Sequence, residues 1–498
     1  MHCKFHNQSR KIMPQLLHII LYLRYMSIRT QLRAAITSYF PFELSGEQAI
    51  LADQLCDFFV SQDVLELFVL NGYAGTGKTT LLSAFVNALK EVKGKSILLA
   101  PTGRAAKVFS NRSGQPAQTI HKKIYRKETV SGGGVQLVVP PNLHTNTIFF
   151  IDEASMIGDY SLRNDGSVSP RNLLEDVINY VYSGKNCKII FIGDVAQLPP
   201  VGSDFSPALN QEYLSQHYSR LTILGFQLKN VLRQAEGSDI LINATQLRSA
   251  PENTFPKFSI GSNKDLIRLP GDELQDALDS AFSKYGRDET IIITRSNKRA
   301  NLYNQQVRSR ILWYEEDICG GDLVMVVRNN YFWLDDTSQA GFIANGEIME
   351  IERISGREEM YGFQYADARV RLVDYPKMGS IEVKIMLDVI YEDTPNLSRD
   401  KMKELFYSVE RDYAFERNKK KRYERIMTDP YFNALQVKFA YAVTCHKSQG
   451  GQWACVFLDQ GFLTEDLLDQ NFFRWLYTAF TRSTEKLYLI NFDNAFFD

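Results

Sequence analysis

The run Gly72-Tyr-Ala-Gly-Thr-Gly77-Lys78-Thr79 constrains this chain more than any other segment, because a strand-like apolar run, Leu67–Leu70, leads into it and a helical stretch, Thr80–Leu89, leaves it. Glycines at this spacing let backbone N–H groups turn inward around phosphate oxygens. The following helix start adds partial positive charge, Lys78 supplies a reaching cation, and Thr79 supplies a hydroxyl for Mg²⁺. A strand, such a loop and a helix make one βα unit, and the pattern repeats at Ile97–Ala100, Ile148–Ile151 and Lys188–Ile192. Each run ends where a loop of unusual chemistry begins, which is where open parallel sheets bind ligands.

A second set of strand-like runs follows at Leu221–Leu224, Thr290–Ile293, Phe439–Val443, Ala454–Leu458 and Leu487–Ile490. The fold class expected is α/β, with two parallel-sheet cores: residues 41–215 for the first, and 216–314 with 431–498 for the second. Between Tyr125 and His144, three glycines centred in short β-like runs predict a protruding hairpin over about 122–145. Residues 315–396 alternate like short antiparallel strands, predicting a small β-barrel inserted in the second core, and 397–430 is charged and helical in composition. Its RNKKKRYER stretch reads as a solvated helix face.

A length of 498 residues exceeds one ordinary core, and 44% hydrophobic with 23% charged residues excludes a disordered or collagenous chain. The net charge of −1 leaves any nucleic-acid affinity to local basic surface. Six scattered cysteines without a C-x-x-C pair argue against a disulfide framework or zinc knuckle, so a reducing, cytoplasmic setting is expected. The apolar stretch from Met13 to Met26 is interrupted by Arg24 and falls short of the roughly 20 residues that span a bilayer. Residues 1–40 are expected to form an N-terminal extension, with no membrane partner.

Asp152 and Glu153 follow a buried-type strand in IFFIDEASM. Asp152 is suited to hold Mg²⁺, and Glu153 to orient and deprotonate an attacking water. Gln197, in GDVAQLPPV, is within reach of a γ-phosphate if the strand KIIFIGD ends beside the first two.

The phosphate loop, APTGRAAKVF (100–109), IDEASM (151–156), GDVAQLPPVG (193–202), LKNVLRQ (228–234), AYAVTCHKSQGGQW (440–453) and WLYTAFTRS (475–483) resemble, in order, the helicase motifs of superfamily 1. More narrowly, they resemble the RecD-like and Dda-like branch, over about residues 44–498. The resemblance implies two RecA-like motor domains, a strand-splitting pin at the hairpin and an SH3-like barrel. It implies ATP and Mg²⁺ as cofactors, and 5′→3′ movement on single-stranded DNA with duplex unwinding at single-strand/duplex junctions. A monomer is expected, with a single-strand-binding protein as a candidate partner.

By the same resemblance, Lys78, Asp152, Glu153, Gln197, Arg233 and Arg482 are the catalytic set, the two arginines reaching the γ-phosphate from the second core. Gln48 recognises adenine, and Gly72, Ala74, Gly75, Thr76, Gly77, Lys78, Thr79 and Thr80 hold the nucleotide, with Thr79 and Asp152 on the metal. DNA contacts are expected from Pro101, Thr102, Gly103, Arg104, Thr119 and His121 in the first core, and from Thr294, Arg295, Asn297, Thr444, His446, Lys447 and Ser448 in the second. Two alternatives stay open: a translocase that displaces bound proteins without unwinding, and a passive nucleic-acid-binding subunit.

Overall fold

The computed structural model describes residues 26–129, 135–159, 172–231, 237–251, 254–261, 263–335, 338–464 and 467–497. The tip of the expected hairpin, Arg233 and residues 1–25 lie outside them.

The chain opens with a helix, α1 (26–39), and α2 (Gly46–Val60), which Ser45 starts with a capping box closed by Gln48. The first parallel sheet then takes β1 (Glu66–Gly72), β2 (Lys95–Ala100), β3 (Ala117–Thr119), β6 (Thr147–Ile151), β7 (Lys188–Gly193) and β8 (Thr222–Leu228), in the spatial order β3-β2-β6-β7-β1-β8. Its crossovers include α3 (Lys78–Glu91), α4 (Gly103–Ser113), α5 (Ile120–Ile124), α6 (Leu173–Tyr182) and α7 (Gln211–His217). β4 (Arg126–Thr129) and β5 (Val135–Val138) form the expected hairpin, in register Arg126↔Val138.

Central strands β6 and β7 are buried at every position, as befits a sheet covered on both faces. Two corrections concern this sheet. The run Leu221–Leu224, expected in the second core, enters β8 at Thr222 and pairs with β1 through Glu66↔Thr222, because an apolar strand carries no mark of which sheet will accept its hydrogen bonds. Part of the expected extension over residues 1–40 is core: Leu32, Ile36 and Phe40 of and beside α1 are at most 5% exposed and pack with Leu55 and Phe85. Arg29 and Arg33 hold α1 to Asp57 and Asp53 of α2.

The second parallel sheet is built from β9 (Leu266–Leu269), β10 (Thr290–Thr294), β16 (Ala442–Thr444), β17 (Trp453–Asp459) and β18 (Ser483–Ile490), ordered β16-β10-β17-β18-β9. Helices α8 (Asp239–Leu247), α9 (Leu274–Tyr285), α10 (Asn297–Gln306), α13 (Cys445–Ser448) and α14 (Gln470–Phe480) belong to this half.

Between β10 and β16 the chain leaves to form a closed barrel of β11 (Leu323–Val326), β12 (Ile348–Met360), β13 (Phe363–Leu372), β14 (Ser380–Met386) and β15 (Leu435–Phe439). Closure corrects the expected strand Phe439–Val443. Its first residue ends β15, which pairs with β11 through Val324↔Phe439, and Ala442 begins β16 on the other sheet. The charged stretch folds as α11 (Arg399–Asp412) and α12 (Lys419–Met427), joined by Arg422–Glu410 at 3.3 Å and packed on the barrel through Leu405, Val409 and Ile426. Among the described residues, no helix is long and apolar enough to cross a membrane.

Candidate active site

A cleft of about 610 Å³ separates the carboxyl ends of β1, β6 and β7 from the second half of the molecule. On its first wall, Gly75 and Gly77 both sit at φ +78°, a left-handed conformation that a side chain would strain, and the loop they shape delivers Lys78 to the start of α3. Lys78 Nζ donates to the carbonyls of Gly72 and Tyr73, the latter at 3.0 Å, folding over Gly72 so closely that a Cβ there would meet its Cδ at 2.7 Å. Thr76 Oγ1 donates to Tyr73 O at 2.8 Å and braces the loop. Ala74, Gly75, Gly77, Thr79 and Thr80 line the cleft.

Gln48 is 1% exposed and takes no part in the lining. Its Oε1 accepts from Ser45 N–H at 3.0 Å and its Nε2 donates to Thr76 O at 3.2 Å, so it ties α2 to the loop.

Asp152 and Glu153 continue from β6 into the same cleft. Glu153 holds a left-handed backbone at φ +51°, a strained geometry for a non-glycine residue, and its N–H donates to Asp152 Oδ1 at 2.9 Å. Burial, followed by the neighbouring Glu153 charge, pushes Asp152 up to about 6. Gln197 is 6% exposed, and its Oε1 is buried with no hydrogen-bond partner among the described residues. An orphan acceptor in a polar cleft is costly unless a donor comes from outside the chain.

The second wall brings Arg482, at the end of α14, into the same lining as Lys78, Asp152, Glu153 and Gln197. It is 2% exposed and donates only to its own half: Thr478 O at 3.0 Å, Gly451 O at 3.1 Å and Thr481 Oγ1 at 3.1 Å. Among the described residues no carboxylate pairs with it, so a buried cation faces the cleft ready for an anion. Arg233 falls outside the described residues.

The DNA candidates gather in two places. Ala100 pairs with Thr119, so Pro101–Arg104 and Thr119–His121 leave adjacent strand ends, and Thr294 pairs with Thr444, which does the same for the other pair of loops. Thr102 caps α4, receiving Ala105 N–H at 3.2 Å, and Thr119 caps α5. Half-buried Asn297, Thr444 and Lys447 line one small pocket together with Lys438, and burial lowers the affinity of both lysines for their protons. His446 is exposed. His121 is pulled down to about 4 by burial and stacks near Tyr125 and Phe342.

Four candidates are engaged internally. Thr294, fully buried, donates to Ser296 O, and Ser448, fully buried, donates to Cys445 O. Arg295 packs on Phe472 and donates to Phe462 O at 3.2 Å. Arg104 crosses to the second half, donating to Gln452 O at 2.8 Å with its guanidinium 4.3 Å over Trp453.

Two family models match the chain: an AAA domain over residues 43–255 and a UvrD-like helicase C-terminal domain over 439–490, which are the two walls just described. Together with the relatives that follow, these matches make the chain similar to DNA helicases of the Dda-like and RecD-like kind. Among similar proteins, the ATP-dependent DNA helicase Dda of Enterobacteria phage T4 is 28% identical over 265 residues, covering 52% of this chain and 55% of that protein. The ATP-dependent RecD2 DNA helicase of Deinococcus radiodurans is 31% identical over 160 residues, 32% of this chain and 18% of that one. The chain thus spans about half, or less, of these relatives. A Pif1 helicase from Bacteroides, solved with ADP-AlF3 and ssDNA, aligns over 92% of this chain and 95% of that one at 16% identity and a TM-score of 0.46.

The ties between the two halves join residues of separate motifs, and nothing along the chain pairs them. Tyr477 of α14 is 2% exposed and reaches across the cleft, accepting from Ala74 N–H at 2.9 Å and donating to Asp194 Oδ2 at 2.5 Å. Thr478 Oγ1 accepts from Leu198 N–H at 2.8 Å, and Gln449 Nε2 donates to Leu198 O at 2.7 Å. Arg248, just beyond α8, lies 3.9 Å over the Tyr73 ring of the phosphate loop.

Proposed function

We propose that the chain is an ATP- and Mg²⁺-dependent DNA helicase that moves 5′→3′ along single-stranded DNA and unwinds duplex. One observation carries the reading: Lys78, Asp152, Glu153 and Gln197 from one sheet share a single cleft with the buried, acid-free Arg482 from the other. Lys78 and the loop N–H groups bind the β- and γ-phosphates. Thr79 and Asp152 would hold Mg²⁺, which supplies neutralisation of the phosphate charge. Glu153 accepts the proton of the attacking water, and Gln197, through its orphan Oε1, orients that water. Arg482, joined by Arg233, stabilises the charge that develops on the γ-phosphate, so hydrolysis removes the anion that both walls grip.

Loss of that shared anion weakens closure, and the two loop pairs at Pro101–His121 and Thr294–Ser448 move relative to each other along the strand. The hairpin of β4 and β5 separates duplex ahead of them. The relatives named as ATP-dependent DNA helicases support this reading, and direction comes from the resemblance to their branch.

The test is strand displacement on 5′-tailed and 3′-tailed duplexes with ATP. Displacement of the 5′-tailed duplex alone, abolished in Lys78→Ala, is expected. ATP turnover without displacement would leave a single-strand translocase, and absence of turnover would leave a passive binding subunit.

A further inference from the structure

A second cleft, about 620 Å³ and so as large as the first, lies between the barrel and the helical insertion, and none of the residues assigned above lines it. Its floor is the loop that follows β11, and its far wall is the end of α12. None of its fourteen lining residues is acidic. Arg328 is half-buried there and donates to Met402 Sδ at 3.1 Å, and among the described residues no carboxylate pairs with it. Exposed Asn345 and Tyr423 stand at the rim, and the Tyr423 and Phe432 rings are both braced against Phe406, at 6.1 and 5.9 Å. Asn329 fixes the floor, accepting from Asn345 N–H at 2.7 Å and donating to Tyr331 Oη at 3.2 Å.

Exposed Lys419, Lys420 and Lys421 begin the same helix α12 that supplies Tyr423. Tyr331 also lines a 230 Å³ pocket with His121, Lys122, Lys123 and Arg126, at the root of the hairpin, and its ring lies 4.9 Å from Phe342. Aromatic faces and uncompensated cations without acids are the chemistry that receives unpaired bases and their phosphates. An acid-free cavity of this size repels no anion and offers planar rings an apolar face.

We propose that this barrel–insertion cleft is an accessory single-stranded DNA site, which stacks unpaired bases on Tyr423 and Phe432 while Arg328 and the α12 lysines take phosphates, and which continues from the hairpin root. The proposal deepens the helicase reading and rests on it only for the identity of the strand.

Fluorescence anisotropy of the full chain with labelled oligothymidylates of about 8 and about 20 nucleotides tests it, since an OB-like or motor track takes a site of only a few to about 16 nucleotides. Two variants are used, Tyr423→Ala paired with Asn345→Ala at the exposed rim, and Arg328→Gln, with melting temperature recorded for each. Affinity for the long oligonucleotide should fall about tenfold in both, while the short one binds unchanged and its stimulation of ATP turnover persists. Unchanged long-oligonucleotide affinity in the rim variant, with ATP turnover intact, overturns the site and leaves the helicase reading standing. Equal weakening of both lengths overturns it too. Selective loss of the long oligonucleotide in a chain without ATP turnover would uphold the site and sink the motor.

Discussion

Each wall of the nucleotide cleft presents a cation, and the two cations are held there by opposite routes. Lys78 arrives through eight consecutive residues, held by the carbonyls of its own loop. Arg482 is held by Thr478 and Thr481 at the end of α14 and by Gly451, and it shares a cleft with Lys78 while ties such as that of Tyr477 to Ala74 and Asp194 keep α14 against the first half. A local wall is preformed by backbone sterics. A distributed wall exists only while two domains stay apposed, so damage to it should disturb closure as well as chemistry.

The largest effect expected on that contrast is from Arg482→Ala, which removes the second wall's charge and should lower ATP turnover at saturating oligothymidylate on the order of 10³-fold. Arg482→Lys should recover under a tenth of the loss, since one ammonium cannot replace three donations in fixed directions. A drop of less than tenfold in steady-state turnover would dissolve the distinction between the walls. Next is Tyr477→Phe, which strands the Ala74 N–H and the Asp194 carboxylate at about 1–3 kcal/mol each. The free chain should melt several degrees lower by scanning calorimetry, whereas Lys78→Ala, whose donations stay within its own loop, should lower the melting temperature less than Tyr477→Phe does.

The smallest effect concerns the contact between barrel and first domain. Glu347 is 3% exposed, lies against Gly103 at the start of α4, and faces Asp374, which pairs with Lys107 at 3.3 Å. Burial, then the Asp374 charge, pushes Glu347 from 4.5 up to about 8. The folded chain therefore keeps a proton that the unfolded chain releases near 4.5, and stability is lost as pH rises from there toward 8, by at most about 1.4 kcal/mol per unit. Glu347→Gln should flatten the melting-temperature profile between pH 5.5 and 8 and raise its upper end. An unchanged profile would show that the carboxyl finds a donor.

Much of this architecture can be read along the chain. Part of the barrel alternates inward and outward residues, as in β13 where buried Ala366, Ala368, Val370 and Leu372 are separated by more exposed Asp367, Arg369 and Arg371, and that period needs no tertiary knowledge. β3 and β9 escaped because three and four residues hold too little pattern. Leu221–Leu224 looked like any buried strand, and only its pairing with β1 decided its sheet. In the site, Lys78, Asp152 and Glu153 were legible because each stands at a strand end within a short motif. Tyr477 and Arg248 were not, because their partners lie across the cleft, 403 residues away for Ala74 and Tyr477.

By itself, the sequence determined the phosphate loop, the acidic strand end and the two-core α/β class, since each follows from backbone sterics, hydrophobic period and charge within a few neighbouring residues. Only the tertiary structure decided which sheet claims β8, where β15 gives way to β16, and how Arg482, Tyr477 and Arg248 close the cleft. Those outcomes depend on hydrogen bonds and buried charges between segments hundreds of residues apart, whose energies exist only after the chain has brought them into contact.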